Sequence, residues 1–283
     1  MACQHTEIQI SGLRLAAKRW GSSSGPPVLA LHGWLDNAAS FDTLAPLLPE
    51  LNLVVLDLPG HGHSQHRAPG EHYHFIDWVL VAFDVADALG FERFSMLGHS
   101  MGAAIAALAA GSLPERIERI ALLEALGPLT RSETECPDRV QATLKVRAKG
   151  GDRVHLYANE SEAAERLRQV LTDLSQTSAE RLTQRGMQAA DGGVVWRSDP
   201  RLRWPSPEPL TEGQVQAFLR RITARSLVVR ARQGYPHSPE LIEQRIACVP
   251  QLSTVEVEGG HHVHLEHPSR VAPAVRQLFE LAV

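Results

Sequence analysis

Val28-Leu29-Ala30-Leu31 and Leu53-Val54-Val55-Leu56 are short, unbroken apolar runs. A strand with one face in water alternates apolar and polar side chains; a strand buried on both faces does not. These runs therefore predict neighbours in a parallel sheet covered on both sides. Phe94-Ser95-Met96-Leu97 and the stretch 117–123 read as two further strands. Between the first two runs lies an amphipathic stretch at 41–48, and a second helical pattern covers about 76–89. Residues 103–110 are small and apolar throughout and read as a buried helix. The resulting β-α-β-α-β-α-β order predicts an α/β fold with a mostly parallel, doubly wound sheet. Ahead of it, Ile8-Gln9-Ile10 and Leu13-Arg14-Leu15 flank Ser11-Gly12 and predict an edge hairpin.

The alternation then stops. Residues 130–213 are mostly helical in pattern and rich in charge, with a turn at Asp191-Gly192-Gly193 before Val194-Val195-Trp196. Trp204-Pro205-Ser206-Pro207-Glu208-Pro209 reads as an extended connector. Strand pattern resumes at Ser226-Leu227-Val228-Val229, followed by a helix at about 239–247, a strand at 253–257 and a last helix at about 269–281. The expected organisation is one core domain, residues 1–129 and 214–283, with a helical lid inserted at 130–213.

Bulk properties narrow the function. The 283 residues carry a formal net charge of -4, so nothing favours a polyanion and nucleic acid is not an expected partner. Cys3, Cys136 and Cys248 are odd in number and far apart, as free thiols in a reducing compartment would be. The first residues lack the basic-then-apolar order of a secretory signal, and no apolar run is long enough to span a bilayer. A soluble, cytoplasmic protein is expected.

Gly98-His99-Ser100-Met101-Gly102 lies between the strand pattern at 94–97 and the small-residue helix. A serine in a tight strand-to-helix turn projects its hydroxyl from the end of the sheet. The flanking glycines let neighbouring elements close around it, and the helix aims N–H groups and its positive dipole end at the same spot. That geometry suits a nucleophile whose transition state carries an oxyanion; the alternative is an ordinary turn with a capping serine.

With this motif the chain resembles the α/β-hydrolases over nearly its full length. Four motifs occur in that family's order: Leu31-His32-Gly33-Trp34, then Asp57-Leu58-Pro59-Gly60-His61-Gly62-His63-Ser64, then the serine pentapeptide, then Gly259-Gly260-His261. The serine hydrolase-like proteins are the subgroup it most resembles, and the His-Gly-Trp loop is also similar to that of pimeloyl-ester carboxylesterases. The resemblance implies an α/β-hydrolase fold with Ser100 as nucleophile and His261 as general base. His262 is the alternative base in a segment that reads Gly-Gly-His-His-Val-His-Leu-Glu-His-Pro.

The acid departs from the family's commoner pattern, an Asp shortly after the strand at 226–229. Gly234 occupies that site, and no carboxylate follows until Glu240. Glu124 ends the strand next after the nucleophile strand, where haloalkane dehalogenases and some lipases place their acid. A carboxylate at the end of a buried strand is costly unless paired, so Glu124 is the expected acid, with Glu240 or a weakened Ser–His dyad as alternatives.

By the same resemblance, the oxyanion hole is expected from the backbone N–H groups of Trp34 and Met101, with His32 bracing the loop. Trp34, Met187, Trp196 and Trp204 are candidates for a substrate pocket; the last three can equally pack the lid's own small core. The crowded His261, His262, His264 and His267 match neither a His-Glu-x-x-His helix nor a Cys/His site, and His61, His63 and His66 belong largely to a structural turn. No metal and no cofactor are expected. The expected activity is hydrolysis of a small carboxylic ester through an acyl-enzyme. A thioester, lactone, amide or carbon–carbon bond is open as the scissile bond, as is a ligand-binding protein that kept the fold without catalysis. A serine nucleophile sets the chain apart from the dehalogenases and epoxide hydrolases of this fold, which use aspartate.

Overall fold

The computed structural model describes residues 3–149 and 154–281. The outermost ends of the core segment and residues 150–153 of the inserted segment lie outside the described residues.

In chain order the core begins with β1 (Gln4–Ile10), β2 (Leu13–Gly21), β3 (Pro27–Leu31) and β4 (Asn52–Leu56). It continues with α1 (Phe75–Ala88), β5 (Phe94–His99), α2 (Met101–Ser112) and β6 (Ile117–Leu123). The inserted segment holds α3 (Cys136–Ala148), α4 (Glu160–Val170), α5 (Gln176–Gly186) and a small hairpin, β7 (Met187–Ala190) and β8 (Gly193–Trp196). The chain returns through α6 (Glu212–Leu219), β9 (Arg225–Gln233), α7 (Pro239–Ile246), β10 (Leu252–Gly260), α8 (Val263–Glu266) and α9 (Pro268–Leu278). Sheet order is β1-β2-β4-β3-β5-β6-β9-β10. The β1–β2 and β2–β4 pairs are antiparallel, and every later pair is parallel.

Alternate side chains of the central strands feed two separate cores. Leu29, Leu31, Val54, Leu56, Met96, Ile120, Leu122 and Val228 pack with α1, α2 and α6. Val28, Ala30, Leu53, Val55, Leu97, Ala121, Leu123, Leu227 and Val229 pack with α9 and the turn residues Phe41, Leu44 and Leu48. Both sets are apolar because both faces are covered, which is why these strands read as unbroken runs. The amphipathic stretch at 41–48 is not an α-helix: two short 3-10 turns, Ala38–Phe41 and Ala45–Leu47, occupy the connection. Pro46 is the second residue of the second turn, and the stripe itself is present: Phe41, Leu44, Ala45 and Leu48 are buried while Pro46 and Leu47 face out.

The inserted segment touches the core at one end of the sheet, where the parallel strands terminate. Arg185 of α5 reaches the fully buried Asp57 just after β4, with Nη2 2.7 Å from Oδ2 and Nε 3.0 Å from both oxygens. Asp57 also accepts from the amides of Ala38 and His63. Nearby, the Asn37 side chain donates to Leu182 O, and the Asp199 amide to Gly60 O. Removing one partner from a buried ion pair strands the other charge. Arg185→Ala is therefore expected to cost about 3–5 kcal/mol of unfolding free energy, read as a lowered urea midpoint; an unchanged midpoint would show the pair to be idle.

Candidate active site

Ser100 sits between β5 and α2 with φ 51 and ψ -112, a backbone conformation that L-residues avoid. Its surroundings hold it there. The Ser100 amide donates to Leu123 O at 2.8 Å. A Cβ on Gly98 would collide with the first turn of α2, and one on Gly102 would collide with the Leu31 carbonyl. Two glycines thus allow the helix to start hard against the ends of β5 and β3, which is the reason for their spacing around the serine.

His261, at the end of β10, places Nε2 2.9 Å from Ser100 Oγ. Its Nδ1 lies 3.2 Å from Glu124 Oε2. A carboxylate only accepts, so Nδ1 carries the proton and Nε2 presents a lone pair to the hydroxyl. Glu124 follows β6 directly, is 4% exposed and has φ 67. Its other interactions complete a cradle: Oε1 accepts from the Ala231 amide and Oε2 from the Tyr235 amide at 3.1 Å. A Cβ at position 234 would overlap Glu124 Oε2. The glycine that empties the family's usual acid site is thus the glycine that makes room for this carboxylate. Glu240 instead accepts from the Ser238 hydroxyl at the start of α7.

Trp34 is 52% exposed, and its indole N–H donates to Leu202 O at 3.1 Å. Leu31 pairs with Gly98 in the sheet, and a Cβ on Gly33 would lie 3.0 Å from His99 Nδ1. The Gly33–Trp34 loop therefore runs alongside the serine turn. His32 holds that loop from behind: Nδ1 donates to Gly33 O at 2.7 Å, and Nε2 accepts from the Leu58 amide at 3.0 Å. His61 accepts from the Leu35 amide and donates to Pro59 O; burial pushes its pKa down to about 3, so it stays neutral in this bracing role. Met187 and Trp196 pack with Tyr157 and Ala163 in the inserted segment's own core, the second of the two roles open to them. Trp204 meets His72 edge-on, with ring centroids 5.1 Å apart.

The model for the alpha/beta hydrolase fold matches residues 26–268. A serine hydrolase-like protein of Danio rerio is 34% identical over 281 residues, covering 94% of this chain and 85% of the relative. The chain belongs to the α/β-hydrolase family, among its serine hydrolase-like members. Among solved structures, the hypothetical protein PA1622 from Pseudomonas aeruginosa PAO1 superposes with a TM-score of 0.91 at 41% identity, over 98% of both chains. A thioesterase domain from the curacin biosynthetic pathway gives 0.87 at 26% identity, over 97% of this chain and 99% of that one.

Behind His261, this α/β-hydrolase carries a buried polar cluster that leaves no motif in the sequence. Asp36, His99 and His262 bring one polar atom each within 4.8 Å of one another. His99 Nε2 donates to the His261 carbonyl at 2.9 Å, and burial holds its pKa down to about 4. His262 turns away from Ser100: Nδ1 is 3.2 Å from Asp173 Oδ2 and Nε2 is 3.5 Å from Asp36 Oδ2. Burial disfavours a charged ring at His262, but the two carboxylates outweigh it and hold the pKa up at about 10. A ring with a carboxylate at each nitrogen is the arrangement of an imidazolium, while the buried His99 Nδ1, 3.6 Å from Asp36 Oδ2, has no hydrogen-bond partner among the described residues. Sequence carried one weak sign of the cluster, the doubled histidine. Asp36, His99 and Asp173 stand alone in three distant segments.

Proposed function

We propose that the protein is a serine hydrolase that cleaves a small-molecule carboxylic ester through an acyl-enzyme on Ser100. The observation that carries this reading is the unbroken line Ser100 Oγ–His261 Nε2 and His261 Nδ1–Glu124 Oε2, at 2.9 Å and 3.2 Å. His261 takes the Ser100 proton as Oγ attacks the acyl carbon. Glu124 keeps the proton on Nδ1 and stabilises the imidazolium. The amides of Trp34 and Met101 receive the oxyanion. His261 then protonates the leaving alkoxide, the C–O bond breaks, and the acyl-enzyme remains. Water, deprotonated by the same nitrogen, releases the acid and restores Ser100. No step calls for a metal or cofactor. Residues 130–213 act as a lid, since their anchors at Asp57, Asn37 and His262 lie at the sheet end that carries Ser100.

A thioester is the second reading, favoured by the 26% identity to the thioesterase domain. It changes only the leaving group. One experiment separates the readings: p-nitrophenyl esters of graded acyl length assayed beside the matching coenzyme A thioesters, with fluorophosphonate labelling mapped by peptide mass. Label on Ser100 and ester turnover are expected. Turnover of thioesters alone selects the second reading. Neither label nor turnover overturns hydrolysis and leaves a binding protein on a hydrolase fold.

A further inference from the structure

We propose that His262 is a positioning residue: held between Asp36 and Asp173, it lets the inserted segment set the pose of His261 against Ser100. The inference rests on the reading of Ser100 and His261 as nucleophile and base. It adds that the base is placed by the lid as well as by the sheet.

Asp173 lies between α4 and α5, and its docking is specific. Its Oδ2 accepts from the His262 amide at 2.7 Å while the carboxylate also faces the His262 ring. A Cβ on Gly260 would lie 2.5 Å from Asp173 Cβ, so the second glycine of the Gly-Gly-His-His motif admits this aspartate. Two residues on, the Ser175 amide and hydroxyl both donate to Glu266 Oε1, at 3.0 Å and 3.1 Å. Leu174 is buried against Leu265. Charge, hydrogen bonds and apolar contact therefore fasten one loop of the inserted segment along the loop of the base. On the opposite side, Asp36 belongs to the turn that follows Trp34, its amide bonded to Gly33 O. One imidazole ring thus joins the base loop, the expected oxyanion loop and the inserted segment.

The peptide between His261 and His262 transmits the constraint. The His261 carbonyl is held by His99, and the His262 amide by Asp173. Both ends of that peptide are pinned, which fixes where the His261 ring hangs. Misplacing a reacting group by about 1 Å can cost on the order of a hundredfold. The groups facing the His262 ring are Asp36, Asp173, His99, His261 and His264. Burial keeps His99 and His264 neutral, so the two aspartates are the partners that favour a charged His262 ring. The His262 pKa is raised, so its ionic contribution is fully present below its ordinary value and is lost as pH climbs through about 10.

Asp173→Asn tests the proposal, since the amide matches the carboxylate in shape. Asparagine removes one of the two negative partners and lowers the pH at which His262 gives up its proton. Labelling of Ser100 by a fluorophosphonate is expected to slow by on the order of ten- to a hundredfold. The deficit should widen between about pH 6 and about pH 9. The loss should fall on kcat for a short ester, with KM little changed. Asp173→Glu should recover part of the rate. Ring 15N shifts give a readout independent of activity: His262 should remain an imidazolium above neutral pH in the wild type and become neutral there in Asp173→Asn. Wild-type rates with an unchanged pH profile in Asp173→Asn would overturn the proposal. So would a stoichiometric metal in the purified protein with His262 Nε2 deprotonated. A wild-type protein that takes no label refutes the Ser100 reading instead; the nitrogen spectra still decide whether Asp173 sets the state of His262.

Discussion

Ser100→Ala is expected to abolish acyl hydrolysis while leaving the fold in place. Ser100 Oγ meets His261 Nε2 at 2.9 Å, and its amide is tied to Leu123 O by a bond that alanine keeps. Alanine also accepts the same strained backbone no worse than serine does. The change therefore removes one atom from the chemistry and almost nothing from the packing. Losing a nucleophile of this type lowers turnover by roughly a thousandfold to a millionfold, the residue coming from the oxyanion donors and binding. Initial rates on the best ester of the graded panel, beside a thermal melt, give the measurement. Turnover within about tenfold of wild type would remove Ser100 from the role.

Glu124→Gln is expected to leave a folded protein with turnover lower by about ten-thousandfold. Glutamine fills the same cradle, but a neutral amide stabilises imidazolium poorly. If its NH2 faces Nδ1, it also selects the tautomer that points a proton at Ser100. The geometry at 234 sharpens the test. Because a side chain there overlaps Glu124 Oε2, Gly234→Asp in the wild-type background should damage activity rather than add a second acid. In Glu124→Gly the space is free, and the left-handed backbone at 124 then carries glycine. Gly234→Asp in that background is expected to restore part of the lost rate. Recovery in the double variant with loss in each single one would show that the two strand ends compete for one histidine. Full activity in Glu124→Gln would end the assignment.

The central strands were legible because double burial leaves a mark in composition: Val28-Leu29-Ala30-Leu31 and Leu53-Val54-Val55-Leu56 have no polar position to spare. The serine turn was legible because its steric demands recur at fixed spacing, glycine two residues to either side. Glu124 stood out for a different reason, a carboxylate closing a buried strand beside an empty acid site. The stretch at 41–48 does carry a one-sided stripe, with Phe41, Leu44, Ala45 and Leu48 buried while Pro46 and Leu47 face out, but it is laid over 3-10 turns; periodicity finds the buried side and cannot tell that the turns around Pro46 stay too short for an α-helix. Asp36, His99 and Asp173 left no pattern. Each meets His261 or His262 across scores of residues, and a lone polar residue looks the same whether its partner is water or a buried ring.

Leu35, Ser100 and Glu124, in the loops leaving β3, β5 and β6, are three of the four non-glycine residues with left-handed backbone among the described residues, the fourth being Glu280 near the C-terminus. Such positions hold about 1–3 kcal/mol of strain each, part of which glycine would release. Laboratory evolution that rewards heat resistance alone would therefore drive glycine into these loops. At Ser100 and Glu124 it would erase the proposed nucleophile and its proposed acid as it did so. Stabilising substitutions for this enzyme fold belong on its outer helices, because the mouth of the sheet is where durability and turnover draw on the same peptide units in opposite directions.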